Sequence, residues 1–194
     1  MVDYEARVRT VFPDTANAVL KAYPAKTDTD VFRALADLQR DASVGRQMAG
    51  WARAQRQSGS APVYGWLFTR RQPYASGITF GDHDPATVGA YHSGDVPYWF
   101  QSLNALNLFR TTRNWEAEDQ ALATTMSDMI VSFAKTGVPS ADWPAFDPKR
   151  PRLMRLGTDK GIIDWPNYKL LDSLKATPPA AAPSASKPAP RVRD

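Results

Sequence analysis

The sequence predicts an α/β fold in which an incomplete sheet is flanked by helices. Residues 63–68, VYGWLF, form an apolar, β-prone run without alternation, which is typical of a strand covered on both faces. Apolar residues recur at helical spacing before this run, over residues 3–57, and after it, over residues 114–136. The other strand candidates are short, so we expect one flank of an α/β sheet.

Composition places the chain among globular proteins. Of its 194 residues, 43% are hydrophobic and 23% are charged, which suffices for one sizeable core. The net charge of +4 is spread along the chain, so a nucleic-acid surface is not indicated. The absence of cysteine excludes disulfides and thiolate metal ligands, and it leaves the cellular compartment undetermined.

Four helices are predicted before the first strand. The first covers residues 3–12 and ends at Pro13, and Asp14 can cap the second. Two further helices are predicted between residues 29 and 57, with a weak joint at residues 41–45.

The second half alternates short strands with one long helix. Strands are predicted at residues 77–80, 88–91, 152–156 and 161–165. The long helix has Asn114 as a candidate cap and ends with Lys135, Gly137 and Pro139, which supply basic charge, a C-cap and a stop. Its predicted apolar face consists of Leu122, Met126, Met129, Ile130 and Phe133.

The chain divides into a folded part, residues 1–175, and a tail, residues 176–194. The tail is rich in Pro, Ala and Ser and is predicted to be disordered. No apolar run approaches the roughly 20 residues of a membrane span, and the N-terminus does not resemble a signal peptide. Targeting information is missing if the native start lies further upstream.

His92 is the main candidate for chemistry. It follows the strand-like residues 88–91 and precedes SGDVP, so we expect it on a loop at the end of a strand, where α/β folds carry functional groups. A neutral imidazole there can act as a general base. The alternative is a histidine packed among Tyr91, Tyr98 and Trp99.

Two other kinds of site receive less support. His83, in FGDHDP, is expected to be a solvated loop histidine. A metal site built from Asp82, His83, Asp84, His92 and Asp95 matches no known ligand spacing, and we predict neither a metal nor another cofactor. A serine nucleophile on a G-x-S-x-G turn is also missing; the nearest segment, DASVG around Ser43, lies within a helical pattern.

The order of several motifs resembles one family. AYHSGDVPYWFQSL, then DQALATTMSDMIVSFAKTGVPSADWPAFDP and LMRLG, are similar to the C-terminal part of the type-B carboxylesterases, which include para-nitrobenzyl esterases and cholinesterases. The resemblance runs from about Tyr4 to Gly157. It implies an α/β-hydrolase fold and hydrolysis of small-molecule esters by a Ser, Glu or Asp, and His triad.

The resemblance also implies roles for individual residues. His92 falls on the catalytic histidine, Asp95 is expected to support its loop, and Tyr91, Tyr98, Trp99 and Phe100 could line one wall of the substrate site. The nucleophile and the triad acid lie upstream in the family, so the chain is expected to be the C-terminal third of an esterase, inactive without its N-terminal portion. The alternative is a noncatalytic module in which His92 is a relic.

Overall fold

The computed structural model describes residues 2–175, which group into two compact units. Among the described residues, one unit draws on residues 2–47 and 169–175, and the other is Met48–Tyr168. The prediction that residues 1–175 form one segment of a hydrolase domain stays a prediction. The predicted disordered tail, residues 176–194, lies outside the described residues.

The first unit is helical. Its elements are α1 (Val2–Val11), α2 (Ala16–Ala22), α3 (Asp28–Arg40), a π-helical turn (Asp41–Gly45) and a 3-10 turn (Leu171–Ser173). The break at Pro13 is confirmed, but the prediction that Asp14 caps α2 is wrong. Thr15 holds the N-cap position, and its side chain makes no capping hydrogen bond.

The weak joint predicted near residues 41–45 is confirmed as the π-helical turn. It contains Asp41, a buried carboxylate that accepts hydrogen bonds from Arg40 Nε at 2.7 Å and from the Tyr23 hydroxyl at 2.8 Å. The Tyr4 hydroxyl in turn donates to the Tyr23 carbonyl at 2.7 Å. These bonds tie α1 and α2 to the turn, and each buried polar group receives a partner.

The second unit contains a small mixed sheet. After α4 (Arg46–Ser58), its elements are β1 (Trp66–Phe68), α5 (Val96–Trp99), a 3-10 turn (Leu103–Asn107), α6 (Ala117–Thr136), β2 (Arg152–Leu156) and β3 (Gly161–Asp164). The strand order is β1-β2-β3. β1 pairs with β2 in parallel, with Trp66 opposite Met154, and β2 pairs with β3 in antiparallel fashion, with Leu153 opposite Ile163.

The predicted burial of the first strand is wrong. Only Trp66–Phe68 of the run forms a strand, and Trp66 is 48% exposed. Among residues 2–175, β1 pairs with β2 alone, so it is an edge strand with one open side. A long apolar run predicts cover on both faces, but cover depends on elements that the run itself does not specify.

The other strand predictions divide evenly. β2 and β3 confirm the strands at 152–156 and 161–165. The strands predicted at 77–80 and 88–91 are wrong, since both segments are loops. Gly77 and Gly89 have φ values of +72° and +68°, which take the backbone out of the extended region.

The core of the second unit lies between α6 and the sheet. Leu122, Met126 and Met129 of α6 are buried together with Met154 and Leu156 of β2. Ile130 and Phe133, also predicted on the apolar face, are 43% and 46% exposed, so that part of the prediction is wrong. No helix in the described part of the chain has both the length and the apolar composition needed to cross a membrane.

The caps of α6 differ from the prediction at one end. The N-cap is Glu116, in a capping box with Asp119, and not Asn114 as predicted. The Asp119 carboxylate accepts a hydrogen bond from the Glu116 N–H at 3.0 Å, and this bond fixes the start of the helix. The C-cap is Gly137 with φ +75° and ψ 5°, as predicted.

The left-handed C-cap predicts a stability difference between two glycines. Gly137→Ala should lower the free energy of unfolding by about 1 kcal/mol, because a Cβ disfavours positive φ. Gly50→Ala, in α4 with open space around its Cβ position, should raise it by up to about 1 kcal/mol. Urea denaturation of both variants checks the opposite signs; equal effects would contradict the C-cap assignment.

Candidate active site

His92 lies on a tight turn that leads into α5. The Gly94 N–H donates to the Tyr91 carbonyl at 2.9 Å, and the Val96 N–H donates to the Ser93 carbonyl at 3.2 Å. Ser93 has φ +65°, a left-handed conformation that is unfavourable for a residue with a Cβ. The loop position is therefore as predicted, although no strand precedes it.

The His92 side chain is exposed. Within residues 2–175 its imidazole has no hydrogen-bond partner. Both ring nitrogens are therefore open to a group from outside this part of the chain. This arrangement differs from the alternative of a histidine packed among Tyr91, Tyr98 and Trp99.

Asp95 ties the turn to the edge strand. Its Oδ2 accepts hydrogen bonds from two indole N–H groups, Trp66 Nε1 at 3.2 Å and Trp99 Nε1 at 3.0 Å. The two indoles also meet edge to face, with centroids 5.4 Å apart. Asp95 thus joins the turn to β1 and to α5, and its role as a support for the His92 loop stays a prediction.

The aromatic candidates divide between surface and core. Phe100 is 72% exposed, and Trp99 is partly buried with its indole N–H on Asp95 of the turn. Tyr91 is partly exposed, and its hydroxyl donates to Gln72 Oε1 at 3.0 Å. Tyr98 is fully buried in the core of the second unit, so a role in the wall of the substrate site stays a prediction.

The Tyr98 hydroxyl is held by the ion pair between Asp119 and Arg70. The Asp119 carboxylate accepts from the Tyr98 hydroxyl at 2.7 Å and from Arg70 Nε and Nη2 at 2.7 and 2.9 Å. Burial alone would raise the pKa of Asp119, but these hydrogen bonds and one from the Glu116 N–H lower it overall. Burial and the Asp119 carboxylate raise the pKa of Tyr98, so its hydroxyl stays protonated and donates.

His83 is packed and not solvated, which corrects the prediction. Its ring stacks on Phe80, with centroids 4.4 Å apart and planes at 19°. Nδ1 lies 2.8 Å from Asp82 Oδ1, and Nε2 lies 3.1 Å from the Tyr74 hydroxyl. Both nitrogens are engaged, so His83 is not available as His92 is.

The described residues contain no cluster of potential metal ligands, and Ser43 is not placed as a nucleophile. Nowhere in residues 2–175 do three His, Cys, Asp or Glu side chains come together so as to hold a metal ion. The Ser43 hydroxyl donates to the Gln39 carbonyl at 2.5 Å inside the helical segment. That bond is typical of a helical serine, and it places Ser43 outside any strand-to-helix turn.

Two buried polar residues that contact the His92 turn, Gln72 and Arg113, were not predicted from the sequence. Gln72 and Arg113 are 5% and 4% exposed, and both contact the turn. They lie in the polar stretches RRQP and TTRN, which read as surface loops. No local pattern indicates that residues 41 positions apart meet beneath a histidine.

A partial α/β fold and a loop with an exposed histidine point to an esterase relative, and comparison with known proteins agrees. The model of the carboxylesterase family matches residues 3–172, and the chain belongs to that family. The chain is 32% identical over 170 residues to the fumonisin B1 esterase of Sphingopyxis macrogoltabida. The match covers 83% of this chain and 29% of that esterase. The family predicted from the motif order is therefore confirmed.

Solved structures support the same fold. A PNB esterase matches 88% of this chain and 32% of its own, with a TM-score of 0.55 and 21% identity. An esterase from the anaerobe Clostridium hathewayi, described as able to hydrolyze aliphatic aromatic polyesters, matches with a TM-score of 0.51 and 19% identity, over 88% of this chain and 31% of its own. The predicted partial α/β-hydrolase fold is confirmed. The chain spans about a third of the length of the proteins it matches.

Proposed function

We propose that this chain supplies the acid–base histidine, His92, of a carboxylic ester hydrolase. The nucleophilic serine and the triad acid come from protein outside this sequence. The observation that carries the proposal is the exposed His92 imidazole, which has no partner within residues 2–175 and stands on a turn fixed by buried side chains. Family membership gives the reaction class.

In this mechanism His92 carries one proton in each half of the reaction. It takes the proton of the serine hydroxyl as that oxygen attacks the ester carbonyl, and it returns the proton to the leaving alcohol. In the second half it takes a proton from the attacking water and delivers that proton to the serine oxygen, which leaves as the carboxylic acid is released. An imidazole suits these steps because both of its forms are accessible near neutral pH.

The surface beside His92 suits an ester with an apolar group. Trp99 and Phe100 follow Asp95 on and just after α5, and Phe100 presents most of its ring to the outside. Such a surface favours burial of an apolar acyl or alcohol part over a charged one. The substrate proposed is therefore a small-molecule ester with an apolar moiety.

The partner proposed is the N-terminal portion of the hydrolase domain. In the part of the chain that the structure describes, β1 has an open edge, and Trp66 is half exposed beside the Asp95 support. An unpaired strand edge of this kind is completed by a further strand. A segment that pairs there would bring its side chains next to the His92 turn.

A noncatalytic module is the second candidate. It is favoured by the absence of G-x-S-x-G from the sequence and by the helical setting of Ser43. In that case His92 would be a relic, and the chain would fold or bind without acyl transfer.

The purified 194-residue chain tests where the nucleophile lies. We expect its hydrolysis of p-nitrophenyl acetate to match that of its own His92→Ala variant, and a serine-directed phosphonate to leave it unlabelled. Turnover that is lost in His92→Ala and blocked by the phosphonate would place the nucleophile inside this sequence. That result would contradict the division of the triad proposed here.

A further inference from the structure

We propose that Gln72 and Arg113 are positioning residues for His92. Together they form a clamp that holds Tyr91 and Gly94, the residues on either side of His92 and Ser93. The clamp deepens the proposed function, on which its catalytic meaning rests. Its structural part is testable without any activity.

Gln72 holds both ends of the turn with one side chain. Its Nε2 donates to the Gly94 carbonyl at 3.0 Å, and its Oε1 accepts from the Tyr91 hydroxyl at 3.0 Å. Because Gln72 is buried, losing either bond leaves a polar group without water. The Gly94 backbone and the Tyr91 side chain, on either side of His92 and Ser93, are therefore held by one residue.

Arg113 orients Gln72. Its Nε donates to Gln72 Oε1 at 2.7 Å, and its Nη2 lies 3.4 Å from the Tyr91 hydroxyl. No carboxylate among residues 2–175 pairs with Arg113, and its guanidinium stands 3.9 Å from the centroid of the Tyr74 ring. A buried cation without an acid is a costly arrangement, and here its Nε and Nη2 donate within the clamp while Nη1 donates to the Thr112 carbonyl.

The backbone beneath the clamp is itself fixed. Tyr74 and Arg113 form an antiparallel bridge, and the Asn114 N–H donates to the Pro73 carbonyl at 2.8 Å. Asn107 Oδ1 accepts from the N–H groups of Thr112 and Arg113, both at 2.9 Å. Gln72 and Arg113 thus project from two paired segments, which gives the clamp a rigid base.

Ser93 supplies an independent reason for a clamp. Its left-handed φ of +65° is unfavourable for serine, so the turn needs outside contacts to hold it. Without the bonds at Tyr91 and Gly94, Ser93 would relax toward negative φ. Its neighbour His92 would then change direction, and a histidine displaced by about 1 Å loses roughly 100-fold in rate.

The Gln72→Glu variant distinguishes the loss of the clamp from a general loss of stability. Glutamate keeps the acceptor for Tyr91 and adds a charge pair with Arg113, so the unit should stay folded. Beside that cation the new carboxylate stays ionised, and it opposes the Gly94 carbonyl instead of donating to it. Gln120→Glu, at an exposed position of α6, is the matched control.

Amide hydrogen exchange of the 194-residue chain reads the clamp directly. In Gln72→Glu, exchange at Gly94 and Val96 should rise by about 10-fold or more, while exchange in α6 and the melting temperature stay unchanged. Gln120→Glu should leave the turn as in the parent chain. Unchanged exchange at Gly94 in Gln72→Glu would overturn the clamp.

Kinetics in the complete esterase read the positioning role. Gln72→Glu should lower kcat by about 100-fold with KM within about threefold, because ester binding does not involve Gln72. Faster exchange at Gly94 with an unchanged kcat, in an enzyme that His92→Ala inactivates, would overturn positioning and leave the proposed function standing. Full activity in His92→Ala would overturn the proposed function, and the exchange result on the clamp would still hold.

Discussion

Alanine in place of His92 is expected to lower kcat/KM for p-nitrophenyl esters by about 10⁴-fold or more in the esterase that contains this chain. The imidazole is the proposed carrier of every proton in the reaction, and neither Asp95 nor His83 can replace it. The Asp95 carboxylate is engaged by two indoles, and both His83 nitrogens are engaged by Asp82 and Tyr74. KM should change little, because alanine removes no surface that binds the ester in the ground state.

The measurement needs a complete hydrolase domain, so the chain is produced together with the N-terminal portion proposed as its partner. Initial rates with p-nitrophenyl acetate and butyrate give kcat and KM, and labelling by a serine-directed phosphonate reports how strongly the serine is activated. Phosphonate labelling should fall with kcat in His92→Ala, since the same base activates the serine. A preceding segment without an esterase nucleophile would favour the noncatalytic module.

His83→Gln is the matched control, because the sequence contains two histidines. Glutamine retains hydrogen-bonding groups near Asp82 and Tyr74 and removes the imidazole. We expect kcat/KM within about threefold of the parent enzyme, since His83 packs on Phe80 and faces no proposed substrate. If His83→Gln and His92→Ala exchanged effects, the assignment of the catalytic histidine would be wrong.

Elements with local signals were predictable from the sequence. The C-terminal end of α6 needed only basic charge, a glycine and a proline in order, and Gly137 takes the left-handed cap. The joint at residues 41–45 was visible as a break in helical periodicity. β2 and β3 were short, and they formed because they pair with each other across four positions.

Elements that depend on distant partners were not predictable. Residues 77–80 and 88–91 have strand-like side chains, yet a strand forms only where a neighbour supplies a ladder, and the glycines at 77 and 89 turn the backbone away. Trp66 looked buried because its run is apolar, but the sheet as described ends at β1. Whether a strand is buried depends on which other elements pack against it.

The residues of the candidate site also differ in whether a local signal or a distant partner places them. His92 and Asp95 could be proposed from the sequence because a short motif fixes their spacing within one turn. Gln72 and Arg113 could not, because their contact with the turn arises from pairing between residues 73–75 and 112–114. Polar residues in polar stretches predict exposure, and tertiary structure reversed that expectation here.

Removal of the Asp119 side chain is expected to cause the largest loss of stability in the second unit. Asp119→Ala should lower the free energy of unfolding by about 3–5 kcal/mol. Asp119 is 0% exposed, and alanine leaves the Tyr98 hydroxyl and much of the Arg70 guanidinium without their acceptor. It also deletes the capping-box bond to the Glu116 N–H.

Glu118→Ala is the matched control for this prediction. Glu118 precedes Asp119 on the same helix and pairs with the same arginine, Arg70 Nη1, at 3.3 Å, but it is exposed. An exposed pair contributes little, so we expect a loss below about 0.5–1 kcal/mol. Urea denaturation followed by tryptophan fluorescence gives both values. Similar losses in the two variants would mean that the charge of α6, and not the buried pair, stabilises the unit.

The pH dependence of stability distinguishes the charge of Asp119 from its shape. Burial raises and hydrogen bonds from Arg70 and Tyr98 lower the pKa of Asp119, and the net effect in the folded state is a pKa below the ordinary 3.8. A lowered pKa means that the folded state binds its proton less readily than the unfolded state does. The stabilisation is therefore fully present above about pH 4 and is lost as pH falls through the folded-state pKa.

Asp119→Asn keeps the shape and lacks the titration, so its free energy of unfolding should fall less steeply below pH 4 than that of the parent chain. Parallel acid profiles would show that the carboxylate charge contributes nothing to the pair.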